Sequence, residues 1–196
     1  MNNSNNELKK ALDDRASHLY QRIIQSQLAA PKQIEGCSEQ EIKKLEQTYE
    51  LPLPYSYKVF LRYFGRRLYG IATDLEFVYP NVLSLTQYAR DIDREIQEEG
   101  DFNPEELLPQ NAFVFARRYT MEFWYFLAEE DVDNPSIFFD ECDGNAARKI
   151  QESIFDFWEA EVEYAEKLIA DSREKKRKRI TNCLRVGQCS DPSNSN

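Results

Sequence analysis

The chain has 196 residues, 41% of them hydrophobic and 13% aromatic, which is enough for one packed core and argues against a disordered or fibrous protein. Its formal charge of -10 is unevenly spread: Arg173–Asn196 holds seven basic residues against Glu174 and Asp191, so residues 1–172 carry -15. An acidic body of that size disfavours nucleic acid and anionic membranes as partners and favours a basic protein.

The start, MNNSNNELKK, is polar and lacks the apolar stretch of a signal peptide, so the expected location is the cytosol, with the first six residues without fixed structure. Leu8, Leu12, Leu19, Ile23, Ile24 and Leu28 then share one helical face, predicting a helix over 7–29 before Pro31 stops it. Ser38 stands three residues before Glu41, the capping-box spacing, and Ile42, Leu45 and Tyr49 continue a second helix up to the Leu51–Pro54 run. Pro54 suits the first turn of a third helix with Tyr57, Phe60, Leu61 and Phe64 as its buried stripe, and Gly65 can supply a left-handed cap.

Alternation of Ile71, Thr73, Leu75, Phe77 and Tyr79 predicts a half-exposed strand. Leu85, Tyr88, Ile92 and Ile96 restore helical spacing up to Gly100, and Asn103-Pro104 opens a single further turn. Phe113 to Ala116 and Phe123 to Leu127 are apolar on both faces and are expected as central strands; Ser136–Asp140 offers one more. From Ser153 a last helix presents Ile154, Phe157, Trp158, Val162, Ala165, Leu168 and Ile169, then fades into the basic run Arg173–Arg179 and a mobile tail. The pattern predicts the α+β class: a single domain with an antiparallel or mixed central sheet of about four to six strands, helices packed on one side and a long C-terminal helix. The expected division is a helical extension over 1–30, the main domain over 31–172 and a basic, disordered tail over 173–196.

Groups for catalysis are sparse. The single histidine, His18, lies in a helix, and the six glycines form no G-x-G-x-x-G; Gly65 and Gly70 have the P-loop separation, but Ile71 stands where the lysine is needed. Cys37, Cys142, Cys183 and Cys189 include no C-x-x-C pair and are read as free thiols, with no metal site and no cofactor. Trp124 and Trp158 have apolar neighbours and read as core. Acidic residues gather at Glu129, Glu130, Asp131 and Asp133, and again at Asp140, Glu141 and Asp143. Three readings stay open for them: solvated turns beside a strand, a docking surface for a basic partner, or a metal site of a metal-dependent hydrolase. On the docking reading, Asp131, Asp133, Asp140, Glu141 and Asp143 are the partner-binding candidates. Arg173–Arg179 reads either as a helix end whose cations complement the macrodipole or as a nucleic-acid or membrane-surface contact.

The segment GCSEQEIKKLEQTYELPLPYSYKVFLRYFG resembles the SUKH (SMI/KNR-like) superfamily signature, in which a capped helix leads through a Leu-Pro elbow into an aromatic helix. Leu53, Pro54, Tyr57, Phe60 and Leu61 stand at the matching structural positions. NAFVFARRYTMEFWYFLAEEDVDNPSIFFDE and SIFDFWEAEV are similar to the family's central hairpin, next strand and closing helix. The asparagine-glycine that often follows the third helix in this family is Phe64-Gly65 here. The resemblance implies a non-enzymatic binding module: an immunity protein that occludes a cognate toxin, often a nuclease, or alternatively a regulatory scaffold. It implies no catalytic residue.

Overall fold

The computed structural model describes residues 2–99, 107–142 and 146–186. The first helix, α1, spans Asn2–Gln25, so it begins inside the polar stretch expected to lack structure, where no proline or glycine interrupts it. It ends before Ala29 in a Schellman arrangement: Gln27 takes φ 59°, its amide donates to the Ile24 carbonyl, and the Leu28 amide donates to Ile23.

A short 3-10 turn (Pro31–Gln33) leads to β1 (Ile34–Glu35), α2 (Glu39–Tyr49) and α3 (Tyr55–Phe64). The Ser38 hydroxyl accepts the Glu41 amide at 3.3 Å while the Glu41 carboxylate accepts the Ser38 amide at 2.8 Å, completing the expected capping box. Gly65 departs from expectation. Its φ of -66° is right-handed, and it is glycine because a Cβ there would meet Cys37 Sγ at 2.7 Å and the Leu61 carbonyl at 2.8 Å.

After α3, β2 (Arg67–Leu68) pairs antiparallel with β1, tying the chain before α2 to the chain after α3. The strand expected over Ile71–Tyr79 does not form. Ile71 and Phe77 do reach the core, but from a loop in which Ala72 takes φ 48° and only Glu76 bridges a strand, through Arg117. Period-two spacing satisfied core burial without a ladder, and nothing local distinguishes the two cases.

Helix α4 (Val82–Glu99) follows, then an antiparallel sheet in the order β3 (Ala112–Arg118), β4 (Glu122–Leu127), β5 (Ile137–Asp140) and β6 (Arg148–Gln151). The expectation that both aromatic strands are central holds for β4 and fails for β3, which lies at the edge. Its apolar character comes from tertiary cover: the Val114 amide donates to Thr86 Oγ1 on α4 at 3.0 Å, and Arg117 exchanges backbone hydrogen bonds with Glu76. The Asn103-Pro104 turn lies outside the described residues.

The last helix, α5, runs Ile154–Val186, so the basic run Arg173–Arg179 is helical. The final ten residues lie outside the described residues. Phe113, Phe115, Trp124, Phe126 and Phe139 share one face of the sheet and meet α3 and α5, with Tyr57 within 6.1 Å of Phe113, Phe115 and Phe126 ring centroids. The α+β architecture, with its four-stranded antiparallel sheet and long final helix, is the expected one.

Candidate partner-binding surface

The elbow residues are scaffolding. Leu53, Tyr57, Phe60 and Leu61 are each no more than 3% exposed, and Pro54 is the residue before the first turn of α3. Glu46 on α2 accepts the Leu53 amide at 3.2 Å and pairs with Lys58 on α3 at 3.1 Å, so α2 and α3 are locked across the elbow.

That rigid elbow holds an acidic turn. The Asp133 carbonyl accepts the amide of Ser56, in the first turn of α3, at 2.9 Å, and the Asp133 carboxylate pairs with Lys9 of α1 at 3.4 Å. A free N–H at a helix start needs an acceptor, and the main chain of the turn provides it. Glu129, Glu130 and Asp131 are exposed just before this anchor and make no ion pair among the described residues. Nearby, the Tyr55 hydroxyl donates to Asp13 at 2.9 Å, and the cations of Lys9 and Arg62 lie 5.3 and 5.9 Å from its ring centroid.

The other carboxylates singled out from sequence lie elsewhere. Asp140 is in register with Phe123, at the hairpin end of β5, whereas Asp131 and Asp133 precede the strand, a strand length of about 13 Å away. Asp140 is buried and its carboxylate accepts the Cys142 amide at 2.8 Å, so it shapes the turn. Glu141 pairs with Arg148 at 3.4 Å, and Arg148 covers the Phe139 ring. Asp143 lies outside the described residues. The fold therefore groups Asp131 and Asp133 with Glu129 and Glu130, and separates them from Asp140 and Glu141. Sequence reasoning missed Ser56 and Lys9 because both are distant in the chain and carry no motif.

Other titratable groups have plain roles. His18 is exposed on α1. Burial, reinforced by the negative charge of Glu41, pushes the Cys37 thiol up to about 12, which keeps it protonated and unreactive. Among the described residues no group of three or more His, Cys, Asp or Glu is placed to hold a metal ion, and no helix is long and apolar enough to cross a membrane.

Residues 36–169 match the model of the SMI1 / KNR4 family (SUKH-1), more than half of the chain. The match starts just before α2 and ends within α5, leaving α1 and the basic end of α5 outside it. No curated protein matches the chain.

Proposed function

The chain belongs to the SMI1 / KNR4 family (SUKH-1), and we propose that it acts without catalysis, as a protein-binding module that occludes the basic surface of a cognate toxin such as a nuclease. The observation that carries this reading is the acidic turn: Glu129, Glu130 and Asp131 stand exposed without ion pairs among the described residues, on a backbone held to α3 through Asp133 and Ser56. Unneutralised carboxylates carried on an anchored backbone speed encounter with a cationic partner. A toxin that grips nucleic-acid phosphates presents such a cationic surface.

The test uses the tagged full-length protein as bait in lysate of its native source, followed by association kinetics with the retained partner. One stoichiometric partner bearing a toxin domain supports the immunity reading. Charge reversal by Glu129→Lys with Asp131→Lys is expected to slow association and flatten its salt dependence. Asp133 and Asp140 are poor choices for reversal because both also support the fold. Unchanged kinetics after reversal removes this surface. A regulatory scaffold is the second reading, favoured by α5, which continues beyond the family match with Arg173–Lys178 exposed. Several housekeeping partners in place of one toxin would favour it.

A further inference from the structure

Helix α4 and the tip of the β3–β4 hairpin enclose a cleft of about 370 Å³ at the hairpin end of the sheet, opposite the acidic turn. Its floor is an apolar strip: Tyr88, Ile92 and Ile96 recur every four residues on one face of α4, and Met121 faces them from the hairpin. None of the three α4 residues is fully buried, Met121 is 42% exposed, and neighbouring Tyr119 is 76% exposed. Clustered apolar side chains left open to water mark a surface that something else covers.

The rim is acidic. Asp91 and Glu95 line the same cleft; Asp91 is held by Arg94 at 2.9 Å, while Glu95 makes no ion pair among the described residues. Arg117, over the Tyr88 ring at 4.3 Å, is already neutralised by Glu76. Toward its C-terminus α4 carries Asp91, Asp93, Glu95, Glu98 and Glu99 against Arg94 alone, with no basic residue in the last turn. Carboxylates there oppose the helix macrodipole, so they work against the stability of α4 itself. A cation brought by a partner relieves that conflict.

We propose that this cleft is the socket for a basic amphipathic helix of the partner protein. Apolar side chains one turn apart enter between Ile92, Ile96 and Met121, and flanking Lys or Arg residues pair with Asp91 and Glu95. The proposal rests on the protein-binding reading above and adds a second contact surface to it.

The probe is a short fluorescein-labelled peptide of leucine and lysine in helical amphipathic order, titrated into the full-length protein by anisotropy. The same composition in scrambled order and a leucine–glutamate peptide of the same pattern serve as controls. Binding of the ordered Leu/Lys peptide is expected, with amide shifts confined to Ile92, Ile96, Thr120 and Met121, and weakening of about tenfold by Met121→Glu or Glu95→Lys. Both substitutions are at partly or fully exposed positions, and thermal melts matching wild type establish that the fold is intact. His18→Ala, at an exposed position on α1, is expected to leave this binding unchanged. No binding, equal binding of either control, shifts elsewhere, or insensitivity to both cleft variants overturns the proposal. So does concentration-dependent dimerisation abolished by Met121→Glu, which assigns the cleft to a second copy. If the native partner is still captured undiminished by both cleft variants, the socket fails while the protein-binding reading stands. If wild type captures no specific partner, that reading fails on its own.

Discussion

Phe60 on α3 and Trp158 on α5 stack face to face, with ring centroids 4.6 Å apart and planes 6° from parallel. Both are essentially inaccessible to water, and Phe77 from the irregular segment closes on the same indole at 4.5 Å. One aromatic pair thus joins the elbow helix, the closing helix and the loop between β2 and α4.

Removing either ring leaves a cavity that three elements must share. Phe60→Ala and Trp158→Ala are each expected to cost about 3–5 kcal/mol in denaturant unfolding, and the double variant less than the sum because the two rings are in contact. Among the described residues the Trp158 Nε1 hydrogen has no acceptor, so Trp158→Phe, which removes that donor, should cost clearly less than Trp158→Ala.

Helices α1 and α5 run parallel, pinned by Arg15 to Asp156 and Glu159 and by Arg22 to Glu166. Burial alone raises the Asp156 pKa, but hydrogen bonds from Ser153 and Arg15 outweigh it and hold the carboxyl below its ordinary value; Arg22 and then Ser26 do the same for Glu166. A depressed folded-state pKa stabilises above the unfolded value, near 4, and that stability is lost as pH falls through the folded value. Thermal melts should therefore drop below about pH 4, and Arg22→Gln should flatten the acid limb relative to wild type. An acid limb unchanged in this variant would show that the pair contributes nothing.

Gly36 packs against the end of α3: a Cβ there would sit 1.7 Å from the Arg62 carbonyl oxygen and 2.4 Å from its carbon. Backbone cannot yield as a side-chain tip can. Gly36→Ala is expected to destabilise by about 3 kcal/mol or more, beyond Gly65→Ala, where two of the three close atoms belong to side chains; chemical denaturation of both variants ranks them.

Cys37 should resist alkylation by iodoacetamide at pH 8 in the folded protein, because burial and Glu41 hold its thiol up to about 12. The half-exposed Cys142 should label faster. Peptide mapping by mass spectrometry checks both, and equal native-state rates would show that Cys37 is not enclosed as described.

The helices were legible where one face alone decides burial. Ile42 and Leu45 of α2, the Tyr57–Phe64 stripe of α3 and the Ile154–Ala165 face of α5 are buried as their spacing requires. The four residues of β6, Arg148–Gln151, went unread because a short edge strand with one apolar residue has no apolar period to recognise.

Local chemistry by itself determined the α2 cap at Ser38 and Glu41, the proline elbow and the aromatic identity of the core strands, since each depends on residues a few positions apart. Tertiary structure decided the rest. Only folding brings Asp133 to Ser56 and so anchors the acidic turn, separates it from Asp140 and Glu141, and sets the hairpin tip against α4. These relations join residues far apart in the chain, and their energy comes from acceptors and apolar surfaces that exist in one place only after the core has packed.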